Sequence, residues 1–230
     1  MKLLSLIVSL AVTLGAHAAC AAQNSVSTYT EEAPSVSIRA TWQRFGLLRP
    51  DNASDDTVRN AVAAFRSMAA EEREQMRSLR ADDPDMPEHT YEMDLEGVMS
   101  GNDKVAGILW KDYQYLGGAH GSLTLSSRNY TRSDGREVRL QDLFRRPDKA
   151  LTLLSELSRK KLAQRDLPQD MVEAGTAPDQ ENFQVFLLEK DGITLYFNPY
   201  QVGPWSEGVV TVTLSLRELA AAEPHTAYWK

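Results

Sequence analysis

Proton transfer near neutral pH calls on histidine or on a carboxylate with a shifted pKa. Past residue 20 the chain carries three histidines, His89, His120 and His225. They stand far apart, and none forms a His-x-x-x-His pair that would set two imidazoles on one helix face for a metal. No Gly-x-Ser-x-Gly elbow presents a serine nucleophile, and no glycine-rich loop leads into a helix to cradle phosphate. Cys20, the sole cysteine, has no base beside it to form a thiolate. The run Asp51, Asn52, Asp55, Asp56 is rich in oxygen donors. It lacks the glycine and distant glutamate of a calcium loop, so capping a helix is its expected role. The expectation is a protein that is not an enzyme and uses no cofactor or metal. An uncharacterised hydrolase stays as an alternative, because residues distant in sequence can converge in space.

Two clusters suit binding better than turnover. Tyr196-Phe197-Asn198-Pro199-Tyr200, followed by Gly203-Pro204-Trp205, is dense in aromatic rings. Rings on a stiff loop make good anchors and can stack on a sugar. Phe197 and Tyr200 are expected to plug one end of the core, and Trp205 to be the exposed anchor. Gly117-Gly118-Ala119-His120-Gly121 interrupts an extended segment. Glycines there mark a kink or a close backbone approach, with Gly118 the position expected to reject a side chain. His120 either packs within the fold, the role favoured by its isolation, or is offered to a ligand. The ligand-binding candidates are Trp205, His120 and Tyr200.

Period-two alternation predicts strands at Val36–Trp42 and Tyr91–Glu96, and apolar or extended runs bounded by turn residues predict them at Val105–Tyr115, Ser122–Thr131, Glu137–Leu140, Phe183–Leu188, Ile193–Phe197 and Val209–Leu214. Ser133-Asp134-Gly135-Arg136 reads as a hairpin turn with Gly135 at positive φ, and Asp191-Gly192 as another turn. An apolar stripe of Val58, Val62, Phe65, Ala69, Met76 and Leu79 predicts a helix over Thr57–Arg80. Glu71, Glu72, Arg73, Glu74 and Arg77 form its solvated face, and Pro50–Asp56 reads as the loop before it. A second helix is expected over Asp148–Gln164, then a polar loop over Asp166–Asn182 and a helical turn over Arg217–Ala222. The fold class is α+β, an antiparallel sheet packed by two main amphipathic helices.

The chain's start predicts export. Lys2 precedes an uncharged apolar run from Leu3 to Leu14, and Gly15-Ala16-His17-Ala18 follows as a small-x-small cleavage pattern. Residues 1–20 are thus an export signal, with two readings open for its end. Cys20 is the lipid-attachment residue of a lipoprotein, or cleavage falls after Ala18, Ala21 or Ala22. His17 stands where lipoprotein signals usually carry an aliphatic residue. The product is expected in the periplasm or lipid-anchored in the cell envelope, meeting the membrane only through that anchor. Removal of Lys2 leaves 24 basic against 32 acidic side chains, a net charge of −8. Such a surface disfavours nucleic acid and would suit a basic partner.

The same motifs carry a family resemblance. Tyr113-Gln114-Tyr115-Leu116-Gly117-Gly118-Ala119-His120-Gly121 resembles the central motif of the extracytoplasmic domain of RsiV-type anti-sigma factors. That domain also precedes the catalytic domain of PdaC-type peptidoglycan deacetylases. Leu140-Gln141-Asp142-Leu143-Phe144, Phe197 through Pro204 and Glu207-Gly208-Val209 are similar to its second half, and Asn60 sits where its first helix often has asparagine. The likeness runs from about Tyr29 to Leu219. Residues 21–34 read as a tether, because Gln23 to Pro34 is polar and poor in large apolar residues, and the resemblance implies a first family segment at 35–132 and a second at 133–222, packed as one globule. It also implies a cell-envelope binding role, toward a basic protein such as lysozyme or toward a glycan such as peptidoglycan. The sequence shows neither a cytoplasmic anti-sigma region nor a deacetylase domain.

Overall fold

The computed structural model describes residues 25–83, 85 and 88–229. The export signal at 1–20, Cys20 and the first residues of the expected tether lie outside the described residues. The rest of that tether is a strand. Val26–Ala33 (β1) pairs antiparallel with Val36–Gln43 (β2) through a turn in which Ser35 takes φ +66°. Val26, Thr28, Tyr29 and Thr30 favour extended backbone, and the edge is tied down by a side-chain network. The Tyr29 hydroxyl donates to Glu31, and Arg66 of the following helix binds both residues.

That helix, α1, spans Leu48–Asp82, nine residues earlier than the apolar stripe suggests. The expected loop at Pro50–Asp56 is its first two turns. Proline is tolerated there because a first-turn N–H has no helical acceptor. Asp51 accepts the Phe45 N–H at 2.8 Å, and Arg44 pairs with Asp51 and Asp55. The acidic run therefore braces the segment before the helix rather than capping it: the N-cap is Leu47, with no side-chain cap hydrogen bond, and only Asp51 falls in the first turn. The far end departs from expectation. The stripe of Val58, Val62, Phe65 and Ala69 is buried, but Met76 is half-buried and Leu79 is 51 % exposed. Thirteen residues past Ala69, about 20 Å of helix, overhang the sheet.

Tyr91–Gly101 (β3), Val105–Tyr115 (β4), Ser122–Thr131 (β5) and Glu137–Val138 (β6) complete a six-stranded sheet in the order β1 to β6. The α+β expectation is borne out, with one parallel pair, β2 beside β3, that α1 bridges as a crossover. Gly135 takes φ +66° in the turn before β6, as its sequence context requires. One sheet face packs on α1 through Ile38, Leu95, Ile108 and Trp110. On the first four strands the alternate residues point outward, among them Glu92, Asp94 and Glu96 of β3.

After a 3₁₀ turn at Leu140–Leu143 the chain builds a second unit. It contains α2 (Pro147–Leu162), α3 (Gln169–Gly175), β7 (Phe186–Glu189), β8 (Gly192–Phe197) and β9 (Val210–Ser215). The three strands form a separate antiparallel sheet. The loop expected at Asp166–Asn182 contains α3, whose seven residues are too few for a visible apolar period. The closing turn is shorter than expected, a 3₁₀ turn at Ala220–Ala222. Leu154 of α2 is fully buried with Phe183, Leu188, Ile193, Phe197 and Leu214 beneath the helix. Each such side chain contributes roughly 1.5–3 kcal/mol through burial.

The two sheets meet face to face. Leu109 and Leu125 of the larger pack on Val185 and Leu187 of the smaller. Polar groups set the register at this joint. The Phe186 N–H donates to Ser127 Oγ, and Asn129 Nδ2 donates to the Phe186 carbonyl, both at 2.9 Å. The layers run α1, six-stranded sheet, three-stranded sheet, α2.

Candidate functional site

The β4–β5 turn and the β8–β9 loop come together at one end of this sandwich. The Leu125 N–H donates to Asn198 Oδ1 at 2.6 Å. The Asn198 N–H donates to Gln201 Oε1 at 3.0 Å, and Gln201 Nε2 reaches the carbonyls of Gly175 (3.1 Å) and Asn182 (3.0 Å). Two side-chain amides thus pin the loop to β5 on one side and to α3 on the other. The Gln201 N–H closes a turn onto the Asn198 carbonyl at 3.0 Å, with Pro199 second and Tyr200 third at φ +69°. Proline followed by a positive φ is the pattern of a type II turn, whose third place normally takes glycine.

This pinning brings the three candidate residues together. The His120 and Trp205 rings stack at a centroid separation of 4.8 Å and an angle of 17°. Tyr200 lies 6.1 Å from Trp205, tilted by 32°. The roles expected of the two loop aromatics are exchanged. Tyr200 does not plug the core; it is 56 % exposed, because its left-handed backbone aims it away from the globule. Trp205 is half-buried, since His120 covers one indole face. Phe197 is the core plug, fully buried against Phe183 at 6.3 Å.

His120 is exposed, and its Nδ1 lies 2.7 Å from the Gly121 carbonyl. A carbonyl only accepts, so Nδ1 is the donor in this contact and Nε2 is left for a ligand hydroxyl. The glycines around it have distinct roles. Gly117 sits at φ +90°, and a Cβ on Gly121 would stand 2.3 Å from the Tyr113 ring. Gly118, expected to be the intolerant position, has negative φ and no atom nearer than 3.7 Å to a Cβ there.

The three histidines do not converge. His89 meets Tyr115 edge-on at 6.4 Å, His225 meets Tyr228 edge-on at 6.4 Å, and His120 stacks on Trp205. Among the described residues no group of three His, Cys, Asp or Glu side chains could hold a metal ion. Burial pushes the Asp112 carboxyl above the usual carboxylate range, against the two hydrogen bonds it accepts from Gln114 Nε2. It lies on the α1 side of the sheet, away from the stacked rings. The arrangement can stack a flat apolar surface and exchange hydrogen bonds at its rim. Sequence reading found its rings but missed Asn198, Gln201 and Gly175. The signal for those was the spacing Asn-Pro-Tyr-Gln, a turn closed by its own side chains.

Residues 141–217 match the family described as "Protein of unknown function (DUF3298)". That segment holds Tyr200 and Trp205, while His120 comes from outside it. The chain is 34 % identical over 102 residues to the peptidoglycan-N-acetylmuramic acid deacetylase PdaC of Bacillus subtilis, which bears out that part of the resemblance. The match takes in 43 % of this chain and 22 % of that protein. Two crystal structures share the fold. A DUF3298 family member from Bacteroides fragilis aligns with a TM-score of 0.60 at 16 % identity, covering 88 % of this chain and 94 % of its own. A DUF3298 family protein from Pseudomonas aeruginosa aligns at 0.53 and 15 % identity, covering 90 % and 97 %. Among the described residues no helix is long and apolar enough to cross a membrane.

Proposed function

We propose that this chain is a cell-envelope binding module that grips a glycan, with peptidoglycan the first candidate, on the platform of His120, Trp205 and Tyr200. The observation that carries the reading is the stacked His120–Trp205 pair with Tyr200 exposed beside it. Sugar rings have apolar faces that pack on aromatic planes, and their hydroxyls find partners at the rim, here His120 Nε2 and the Tyr200 hydroxyl. The backbone strain at Tyr200 adds support, since strained positions cluster where a side chain must be presented to a ligand. The similarity to a peptidoglycan-modifying enzyme points to the same polymer.

Retention on purified cell-wall sacculi tests this. Loss of a central aromatic anchor costs about 2 kcal/mol or more, so Trp205→Ala should weaken retention more than tenfold, and Tyr200→Ala severalfold. Equal retention of both variants and the wild type would remove the platform from the function.

A second reading has its own observation. Among the described residues of the first four strands, Glu32, Glu92, Asp94 and Glu96 share the outward sheet face with only Arg39 and Lys111 as cations, and those two pair with Asp94 and Glu96. An acidic face of this kind fits a basic muralytic protein such as lysozyme and would speed encounter at low salt. Binding to lysozyme that fades from low to physiological salt, and fades equally in Glu92→Gln/Glu96→Gln, would favour it over the glycan.

A further inference from the structure

The overhanging end of α1 does not stand free on every side. Between it and the start of β3 lies a groove of about 600 Å³. Arg73, Arg77 and Arg80 line it from the helix, with His89 and Glu88 opposite. The arginines fall at i, i+4 and i+7, so one helical stripe delivers all three to the same wall. The surrounding protein is acidic, with a net charge of −7 over the whole chain. Among the lining residues three guanidiniums meet one carboxylate, Glu88, while Glu72 acts on Tyr91 from the same helix and Glu74 pairs with Arg77, so the groove gathers cationic donors in an otherwise acidic setting.

Their existing partners are weak. Arg77 pairs with Glu74 where both side chains are about 70 % exposed, and Arg80 pairs with Glu88, itself 75 % exposed. Exposed pairs of this kind contribute about 0–1 kcal/mol. Arg73 pairs with no carboxylate among the described residues. A planar, rigid fork of donors without a partner suits a carboxylate or a phosphate, which it can hold through two parallel hydrogen bonds.

The groove also reaches the β4–β5 turn that carries His120. The His89 ring forms part of its wall and lies under the β4–β5 turn, 3.5 Å from where a Gly117 Cβ would sit. His120 is three residues along that same turn. Platform and groove thus occupy the same end of the six-stranded sheet, on either side of one loop.

We infer that this groove is an oxyanion site that takes a carboxylate or phosphate carried on the glycan, so that the protein selects acidic glycans over neutral ones. The inference rests on the glycan reading for its ligand but not for its anion chemistry. The test titrates the full chain at low salt with three probes, following ring resonances by NMR. The probes are N-acetylmuramic acid, which carries a carboxylate, its neutral counterpart N-acetylglucosamine, and glycerol 3-phosphate. The acid sugar should bind at least tenfold more tightly than the neutral one and shift the His89 ring. Arg73→Gln/Arg77→Gln, both at exposed positions, should erase that preference while leaving the neutral sugar's affinity unchanged. Comparison of the acid sugar with glycerol 3-phosphate tells a wall-sugar carboxylate from a polymer phosphate. If both sugars bind equally and the double variant behaves as wild type, the groove inference falls and the platform stands. If neither sugar binds but glycerol 3-phosphate shifts His89, the anion site stands and the glycan reading falls. Absence of any His89 shift with all three probes overturns the inference.

Discussion

Asn198 supplies the acceptor for the Leu125 N–H, at 2.6 Å, in place of a neighbouring strand. One side chain thereby joins the loop that carries Tyr200 and Trp205 to the strand that follows His120. Rings donated by two distant segments stay stacked because this amide holds their backbones in register.

Asn198→Ala should therefore cost about 1–3 kcal/mol, the expected penalty for a half-buried donor left without a partner. Denaturant unfolding reads the loss. Native-state hydrogen exchange should locate it, with the Leu125 amide exchanging far faster while those in β7 and β8 keep their protection. Unchanged exchange at Leu125 would show that the bond contributes nothing.

Tyr200 gives the opposite prediction. A non-glycine residue at φ +69° stores about 1–3 kcal/mol of strain. Tyr200→Gly relieves it, less the extra freedom glycine gains in the unfolded chain, about 0.5–1 kcal/mol. A net gain of about 1 kcal/mol should raise Tm by roughly 2–4 °C, while retention on sacculi falls. A lower Tm would mean that contacts made by the ring outweigh the strain of its backbone.

Glycine tolerance should separate two positions. A Cβ on Gly175 would sit 2.0 Å from the Gln201 carbonyl oxygen, a backbone atom with no freedom to move aside. Gly175→Ala should destabilise by about 1–3 kcal/mol and loosen the aromatic loop with it. Gly118→Ala should stay within about 0.5 kcal/mol of wild type. Thermal melts that rank the two variants equally would refute the packing argument.

Glu218 links stability to pH. Its carboxylate accepts the Ser215 N–H and hydroxyl, both at 2.7 Å, and pairs with Lys161 at 3.1 Å. These contacts, the Ser215 backbone bond first, hold its pKa down to about 2 from 4.5. A carboxyl with a lowered folded-state pKa stabilises the protein above its unfolded pKa and loses that contribution as pH falls through the folded one. Glu218→Gln should be less stable than wild type at pH 5–7, with the gap closing between pH 4.5 and 2. A gap that persists undiminished at pH 2 would assign the effect to packing.

Much of the fold was legible because apolar and aromatic runs bounded by turn residues mark strands whether one sheet face is covered or both. The extended runs Val105–Tyr115 and Ser122–Thr131 coincide with β4 and β5, and the turn at Gly135 has its expected φ. The start of α1 was hidden because Pro50 and four acidic or amide side chains resemble a loop until Arg44 is seen to neutralise two of them. The overhang was hidden too: Met76 and Leu79 continue the apolar period past the last strand they could cover. At the site, the rings announced themselves by composition. Their exposures could not be read, since the φ of Tyr200 depends on a turn closed by Asn198 and Gln201.

The direction in which β1 runs has a consequence for reach. Val26 stands opposite Gln43, at the end of the sheet away from the β4–β5 turn, while Ala33 stands opposite Val36 beside the groove. Ser25 therefore stands at the end of the sheet opposite the platform, separated from it by the length of β1, about 26 Å. If a surface holds the protein by the Ser25 end of the sheet, Trp205 and Tyr200 lie at the far end from it. The layers between serve as a rigid spacer, and what the platform can touch is set by the height at which the molecule stands.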